Sequence, residues 1–277
     1  MTARRARARL QSGSLAALPL GLGVLAAAQA LDGGSVRALV SLPAAMVVFG
    51  GTVAAILVSY APGQVARALR DAWRAFHGPQ ETPAALSGRL IGLAVRAHRH
   101  GPAALEAELA GVADPFLRSG LALAVDGVSA ETLARVLTLE KLARAADEDE
   151  PARIWDAAAG YAPTLGILGA GLGLIHVLQQ LHTPGGLGAG VATAFVATVY
   201  GVGSANLLFL PVAGRLREQA TRAAHRRELI AEGLVAISER TSPRLVVERL
   251  RPLVPDTPTV EEVVARLGAP GAARVAA

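Results

Sequence analysis

The chain has no cysteine, which excludes disulfides and thiolate metal centres as its source of cohesion. It is poor in charge and in aromatics. Charged residues make up 18% and Phe, Trp and Tyr 4%, against roughly 25% charged residues in soluble domains. The shortage of charge is concentrated. From Ala157 to Gly214 there is no Lys, Arg, Asp or Glu, and the stretches Leu10 to Leu31 and Ala38 to Ala66 are uncharged as well. Catalytic signatures are also missing: no metal-ligand cluster, nucleophile elbow or phosphate loop occurs in the context each requires. The expectation is that the chain is not an enzyme and holds no metal or cofactor. The net charge of +5 does not point to nucleic acid, because no basic stripe interleaved with aromatics accompanies it.

What is present is hydrophobic: 52% of the residues are apolar and the mean hydropathy is +0.41. About 20 apolar residues cross a bilayer as a helix. The uncharged run from Ala157 to Gly214 accommodates two crossings, broken at His182-Thr183-Pro184-Gly185-Gly186. This pattern predicts a transmembrane hairpin with a third span at about 161–181 and a fourth at about 190–211. A second span fits about 39–60. The basic arm at 1–9 and the apolar stretch after it have the makings of a signal peptide, with Ala26-Ala27-Ala28 as a cleavage site. The length favours a retained first span at about 15–31. Asp32-Gly33-Gly34-Ser35 reads as the turn between the first two spans.

Residues 62–156 carry charges of both signs and read as a helical insertion. Its helices are expected at 86–100 and 103–109, split by Gly101-Pro102, and at 131–146, closed by an acidic turn at Asp147-Glu148-Asp149-Glu150 before Pro151. After Arg215 the chain reads as a basic helix to about Arg240, and residues 252–277 are expected to fray at the end. The fold class is therefore all-α: an integral membrane protein with four transmembrane helices and a helical cytoplasmic domain between the second and third. The expected segments are 1–61, 62–156, 157–214 and 215–277. Of the 27 Lys and Arg residues, only Arg37 falls in a loop assigned outside. By the positive-inside rule both termini and the insertion are cytoplasmic.

An ion path needs polar or titratable groups inside the bilayer. No Asp or Glu falls in any expected span; Asp32 sits at an outer edge. The polar candidates are Thr52, Thr164, Thr193, Thr198, Ser204, Asn206 and His176, although a Thr hydroxyl in a membrane helix commonly bonds the carbonyl one turn back. Small residues recur at packing spacing: Gly169-xxx-Gly173 in span three, Ala197-xxx-Gly201-xxx-Ala205 in span four. Two readings stand here, tight packing within one subunit and docking of a partner helix. If protons pass, the carboxylate has to come from that partner.

Tyr161-Ala162-Pro163-Thr164-Leu165-Gly166-Ile167-Leu168-Gly169 with Gly171-Leu172-Gly173-Leu174-Ile175, Ala192-Thr193-Ala194-Phe195-Val196-Ala197-Thr198-Val199-Tyr200-Gly201 and Ala205-Asn206-Leu207-Leu208-Phe209-Leu210-Pro211 resemble spans three and four of the MotA/TolQ/ExbB family. Asp32-Gly33-Gly34-Ser35 and Val48-Phe49-Gly50-Gly51-Thr52 resemble the outer loop and second span of its flagellar-stator A-subunits. The resemblance implies an ion-driven motor stator in the bacterial inner membrane: a pentamer of this chain around a single-span MotB-like partner whose aspartate carries the ion. It implies conformational coupling through Pro163 and Pro211. It implies an ion path and partner-helix contact at Thr198, Ala170, Ala197 and Thr193. Sodium-driven relatives place Thr in span three and a Thr pair in span four; here those positions read Ala170 and Ala197-Thr198, so protons are the expected ion. Contact with the rotor protein FliG is implied for Glu106 and Arg99, with His98 at the principal basic position and Arg96 as a nearby substitute. The other implied partner is membrane lipid. The alternatives are an ExbB/TolQ-like energising subunit for cell-envelope transport or integrity and, in a different class, a non-conducting membrane scaffold.

Overall fold

The structure, a computed structural model, describes residues 19–21, 23–24, 26–77, 81–179 and 187–267. Among them every regular element is helical. Helix α1 (Pro19–Leu31) is followed by a 3₁₀ turn at Val36–Leu39. Helices α2 (Leu42–Ala45) and α3 (Gly51–Ser59) are joined by a π-helical turn at Met46–Gly50. Then come α4 (Pro62–His77), α5 (Pro83–His100), a 3₁₀ turn at Pro102–Leu105, α6 (Glu106–Leu109), α7 (Pro115–Val125) and the long α8 (Ala130–Gln179). Helices α9 (Leu187–Ser204) and α10 (Leu210–Ser238) are joined by a second π turn at Ala205–Phe209, and α11 (Pro243–Leu250) and α12 (Val260–Leu267) follow. Helices satisfy their own backbone groups, which is what a chain in hydrocarbon requires. Val36–Ser59, Ala130–Gln179 and Gly190–Ser238 are long and apolar enough to cross a membrane, and Pro19–Leu31 is a further, shorter apolar helix. The basic arm, the start of the expected first span, the turn at 182–186 and residues 268–277 lie outside the described residues.

The chain forms two compact units, 1–78 with 147–219 and 79–146 with 220–277. The first holds the apolar helices. Its small cores join Ala44 and Val48 to Ala162, Val196 and Ala197, and Ile56 and Ala68 to Ile154 and Ala158. The second is a conventional core of Leu, Ile and Val around Phe116, with Leu90, Leu121, Leu137, Leu229 and Leu234 fully buried. Its helix starts are well capped. Thr82 accepts from the Ala85 amide ahead of Pro83, and Asp114 accepts from Phe116 and Leu117 ahead of Pro115. Asp114 also accepts from Arg226, which bridges to Glu81 at 2.9 Å.

Compactness groups the chain along other lines than the expected segments, with Pro62–His77 and residues 147–156 packing with the apolar helices. The structure corrects the sequence reading before Pro151. The acidic turn at 147–150 does not form, and α8 runs through both Pro151 and Pro163. A mid-helix proline costs about 3 kcal/mol, and here packing and pairing outweigh it. Ala152 and Ile154 are buried, Asp149 faces Arg153 one turn on, and Glu150 accepts from Gln64. Val254 and Val263 enter the second core and α12 forms, while the end at 268–277, where fraying is expected, lies outside the described residues.

Candidate functional site

Spans three and four touch backbone to backbone. A Cβ on Gly166 would lie 2.9 Å from the Ala197 carbonyl oxygen and 3.2 Å from Gly201 Cα, and one on Gly173 would lie 3.0 Å from Ala194 Cα. A Cβ on Gly201 would lie 2.5 Å from the Ala162 carbonyl oxygen and 3.1 Å from Pro163 Cα. The small residues are therefore consumed by intramolecular packing, the closeness that Cα–H···O contacts and dispersion reward in a membrane. Of the two readings of the seam, these approaches are those of tight packing within one subunit. Ala197 is 1% exposed.

The other expected ion-path positions sit on the margins. Ala170, Thr193 and Thr198 are half-buried. Thr198 lies between the seam and an exposed stripe on α9 formed by Phe195, Val199 and Val202. In the apolar part of α8 the exposed large apolar residues are Ile167, Leu168, Leu172, Leu174, Ile175 and Leu178. Several of the polar candidates are occupied locally. Thr52 is buried and donates to the Val48 carbonyl at 2.6 Å, and Thr164 donates to Tyr161 at 2.7 Å. Ser204 donates to Gly201, and Asn206 to Val202 at 2.9 Å.

Pro163 and Pro211 stand within helix rather than at helix ends. Pro163 lies inside α8, beside the closest approach of α9. Pro211 follows directly on the π turn at Ala205–Phe209 and Leu210. A proline leaves the carbonyl four residues earlier without its amide, and a wide π turn is the usual accommodation of such a defect. The first π turn, Met46–Gly50, contains Val48, the acceptor for Thr52. Sequence reasoning missed Tyr200. Its hydroxyl donates to the Leu39 carbonyl at 2.6 Å and accepts from the Ser41 amide at 3.1 Å, satisfying both backbone groups at the break between the 3₁₀ turn and α2. Its ring lies 5.8 Å from that of Phe49. The one tyrosine of the expected fourth span was the available signal.

The second unit carries the expected rotor-facing residues at the end of α5. His98, Arg99 and His100 form its last turn, where cations complement the helix dipole. Gly101 has φ +84°, a conformation that a side chain resists, and turns the chain into Pro102 and α6. His98, Arg99 and Glu106 are exposed, and Arg99 and Glu106 enter no ion pair among the described residues. Arg96 differs: it is paired with Glu108. As a substitute for a basic group at position 98 it is already engaged.

Comparison with known proteins places these features in a wider group. The profile of the MotA/TolQ/ExbB proton channel family matches residues 108–229. Motility protein A of Bacillus subtilis is 32% identical over 244 residues, covering 87% of this chain and 90% of that one. The flagellar MotAB stator complex from Bacillus subtilis superposes with a TM-score of 0.79 at 29% identity, over 92% of this chain and 98% of that one. C. jejuni MotAB superposes with a TM-score of 0.82 at 25% identity, over 87% and 95%.

Proposed function

Because this chain belongs to the MotA/TolQ/ExbB proton channel family and is a flagellar-stator A-subunit within it, we propose that it turns proton flow into torque by surrounding a partner helix that brings the ion-carrying carboxylate. The observation that supports this most is the absence of any charged residue between Ala157 and Gly214, while the two spans in that run close on each other. A buried ionisable group is the mark of a membrane proton relay, and this chain does not supply one there. The partner is a single-span MotB-like subunit. It packs on the apolar stripes left outside the seam, with Thr198 at its margin, and copies of this chain complete the ring as a pentamer. Protonating the partner's Asp removes the cost of a charge in low dielectric, so its helix shifts and the surrounding subunits yield at Pro163 and Pro211. Ala170 and Ala197 offer no oxygen ligands, which favours protons over sodium, an ion costly to dehydrate without replacement ligands.

The chain sits in the bacterial inner membrane with both termini and the insertion at 62–156 on the cytoplasmic side, where Glu106 and Arg99 meet basic and acidic groups, respectively, of the rotor protein FliG. Its output is movement, and no covalent catalysis is assigned to it. In proteoliposomes, proton flux is expected only when the partner is co-expressed, and it vanishes when the partner's Asp becomes Asn. Swimming persists in sodium-free medium and collapses with a protonophore. Flux from this chain purified alone overturns the mechanism, and a strict sodium requirement overturns the ion assignment.

A further inference from the structure

Helix α4 (Pro62–His77) is amphipathic over an arc wider than the chain itself covers. Its packed face is Val65, Ala68, Ala72 and Phe76, held against Ile154, Ala158, Val212 and Leu216. The Trp155 indole N–H donates to the Ala68 carbonyl at 3.3 Å. The next strip around the helix is also apolar and largely exposed to solvent: Leu69 is 57% exposed and Trp73 is 69% exposed. Beyond it, Arg70 and Arg74 stand one turn apart, and neither enters an ion pair among the described residues. Arg67 is partly neutralised by Asp71 at 3.6 Å.

The depth of α4 follows from its neighbours. Only Tyr60 and Ala61 separate it from α3, the end of the apolar helix Val36–Ser59. Gln64 donates to Glu150, and Ala68 and Ala72 share buried clusters with Ile154, Ala158 and Ala152, so the packed face of α4 lies against residues 150–158 of α8. This packing lies where charge returns to the sequence, just before Ala157 on α8 and just after Gly214 on α10. An amphipathic helix at that level, with Trp and Leu beside Arg, has the composition of an interfacial helix: apolar side chains in the acyl boundary, cations at the headgroups.

We infer that α4 is an anionic phospholipid site, with Leu69 and Trp73 inserted between acyl chains and the Arg70 and Arg74 guanidiniums converging on one phosphate-bearing headgroup. Guanidiniums at i and i+4 project side by side, and each offers paired N–H donors that match phosphate oxygens. The occupant is lipid rather than a protein because the charged pair directly flanks the inserting residues, at the membrane level, on a helix joined to a span by two residues. The inference rests on the membrane placement proposed above.

The test uses the full chain with its partner subunit in nanodiscs. The chain has two tryptophans, Trp73 and Trp155, so the Trp73→Phe protein supplies the Trp155 background, and the difference reports Trp73. Brominated phosphatidylglycerol and brominated phosphatidylcholine are compared as quenchers at equal mole fraction. Quenching of Trp73 by the anionic lipid is expected to exceed that by the zwitterionic one, and R70Q/R74Q lowers that preference by about fivefold or more while incorporation into nanodiscs is unchanged. Equal quenching by the two lipids in the wild-type protein overturns headgroup recognition. A preference that survives R70Q/R74Q overturns the assignment to these arginines. Trp73 that neither lipid quenches, in a chain that incorporates normally, overturns the lipid site and leaves the membrane reading standing. Failure to incorporate overturns the membrane reading itself, and the site with it.

Discussion

At Gly201 the room for a side chain is already taken, since a Cβ there would press on the Ala162 carbonyl at 2.5 Å. The neighbour is helix backbone and has no rotamer with which to give way. Gly201→Ala is therefore expected to destabilise the folded protein by about 1–3 kcal/mol, read as a lower thermal midpoint in detergent and as weakened swimming. Gly214→Ala is the control: nothing lies within 4 Å of its Cβ position, and alanine is the better helix former. Equal midpoints for the two variants would show that the seam is looser than its geometry. The exposed tip after α5 behaves by different rules. A single surface ion pair is worth only ~0.2–1 kcal/mol, so neutralising Glu106 tests little, and charge reversal is the sharper probe. Glu106→Lys combined with Arg99→Glu is expected to impair rotation and leave membrane insertion intact, measured by tethered-cell rotation beside membrane fractionation. Unchanged rotation would make this tip ordinary solvated surface. Arg96 is left out because reversing it would break its pair with Glu108.

Elements carry the prediction about bending. Helices α9 and α10 form one run interrupted by the π turn at Ala205–Phe209, with Pro211 just beyond it. A π turn and a proline both locally release the regular i to i−4 ladder. Such a place yields at less cost than the ordinary helix on either side. Pro211→Ala restores an amide and removes the ring clash, so the fold is expected to persist or gain stability. Swimming is expected to fall, because a stiffer helix transmits less of the movement started at the partner. Full swimming by a stably inserted Pro211→Ala protein would show that the bend point is incidental. Pro151 makes the contrast within α8. It too lies inside helix, but next to a closed pairing of Asp149 with Arg153 and of Glu150 with Gln64, and this pinning gives it no assigned part in the motion.

For the whole molecule the open quantity is which parts lie on which side of the membrane. Because the chain has no cysteine, single cysteines at Ser35, Gly127 and Gly186 report topology without background. An impermeant thiol reagent applied to intact cells is expected to label the first and third and to spare the second. Labelling at Gly127 would reverse the assigned orientation. The proposed orientation sets α4 at the anionic inner leaflet, so the labelling result and the lipid preference expected of Trp73 check one another by independent routes.

The sequence by itself determined the class of the protein. Uncharged runs of spanning length dictate helices in hydrocarbon, because no other local structure satisfies the backbone there. The ordered motifs around Pro163, Gly169, Ala197 and Pro211 were enough to identify the family, and the helix at Pro83–His100 was legible from its spacing and its Gly101-Pro102 stop. What the tertiary structure decided were the matters in which local signals compete with packing. Pro151 and the acidic residues before it read as a turn, yet buried Ala152 and Ile154 hold α8 continuous. The Gly and Ala repeats left two partners open, and only the approach of Gly166 and Gly173 to α9 assigns them to each other. Arg96 read as available until the fold brought Glu108 to it, and Tyr200 carried no visible partner until the fold brought up the broken backbone at Leu39 and Ser41. Periodicity and charge are properties of a neighbourhood in sequence, whereas closeness between Tyr200 and Leu39 depends on how the helices cross, which one-dimensional spacing does not encode.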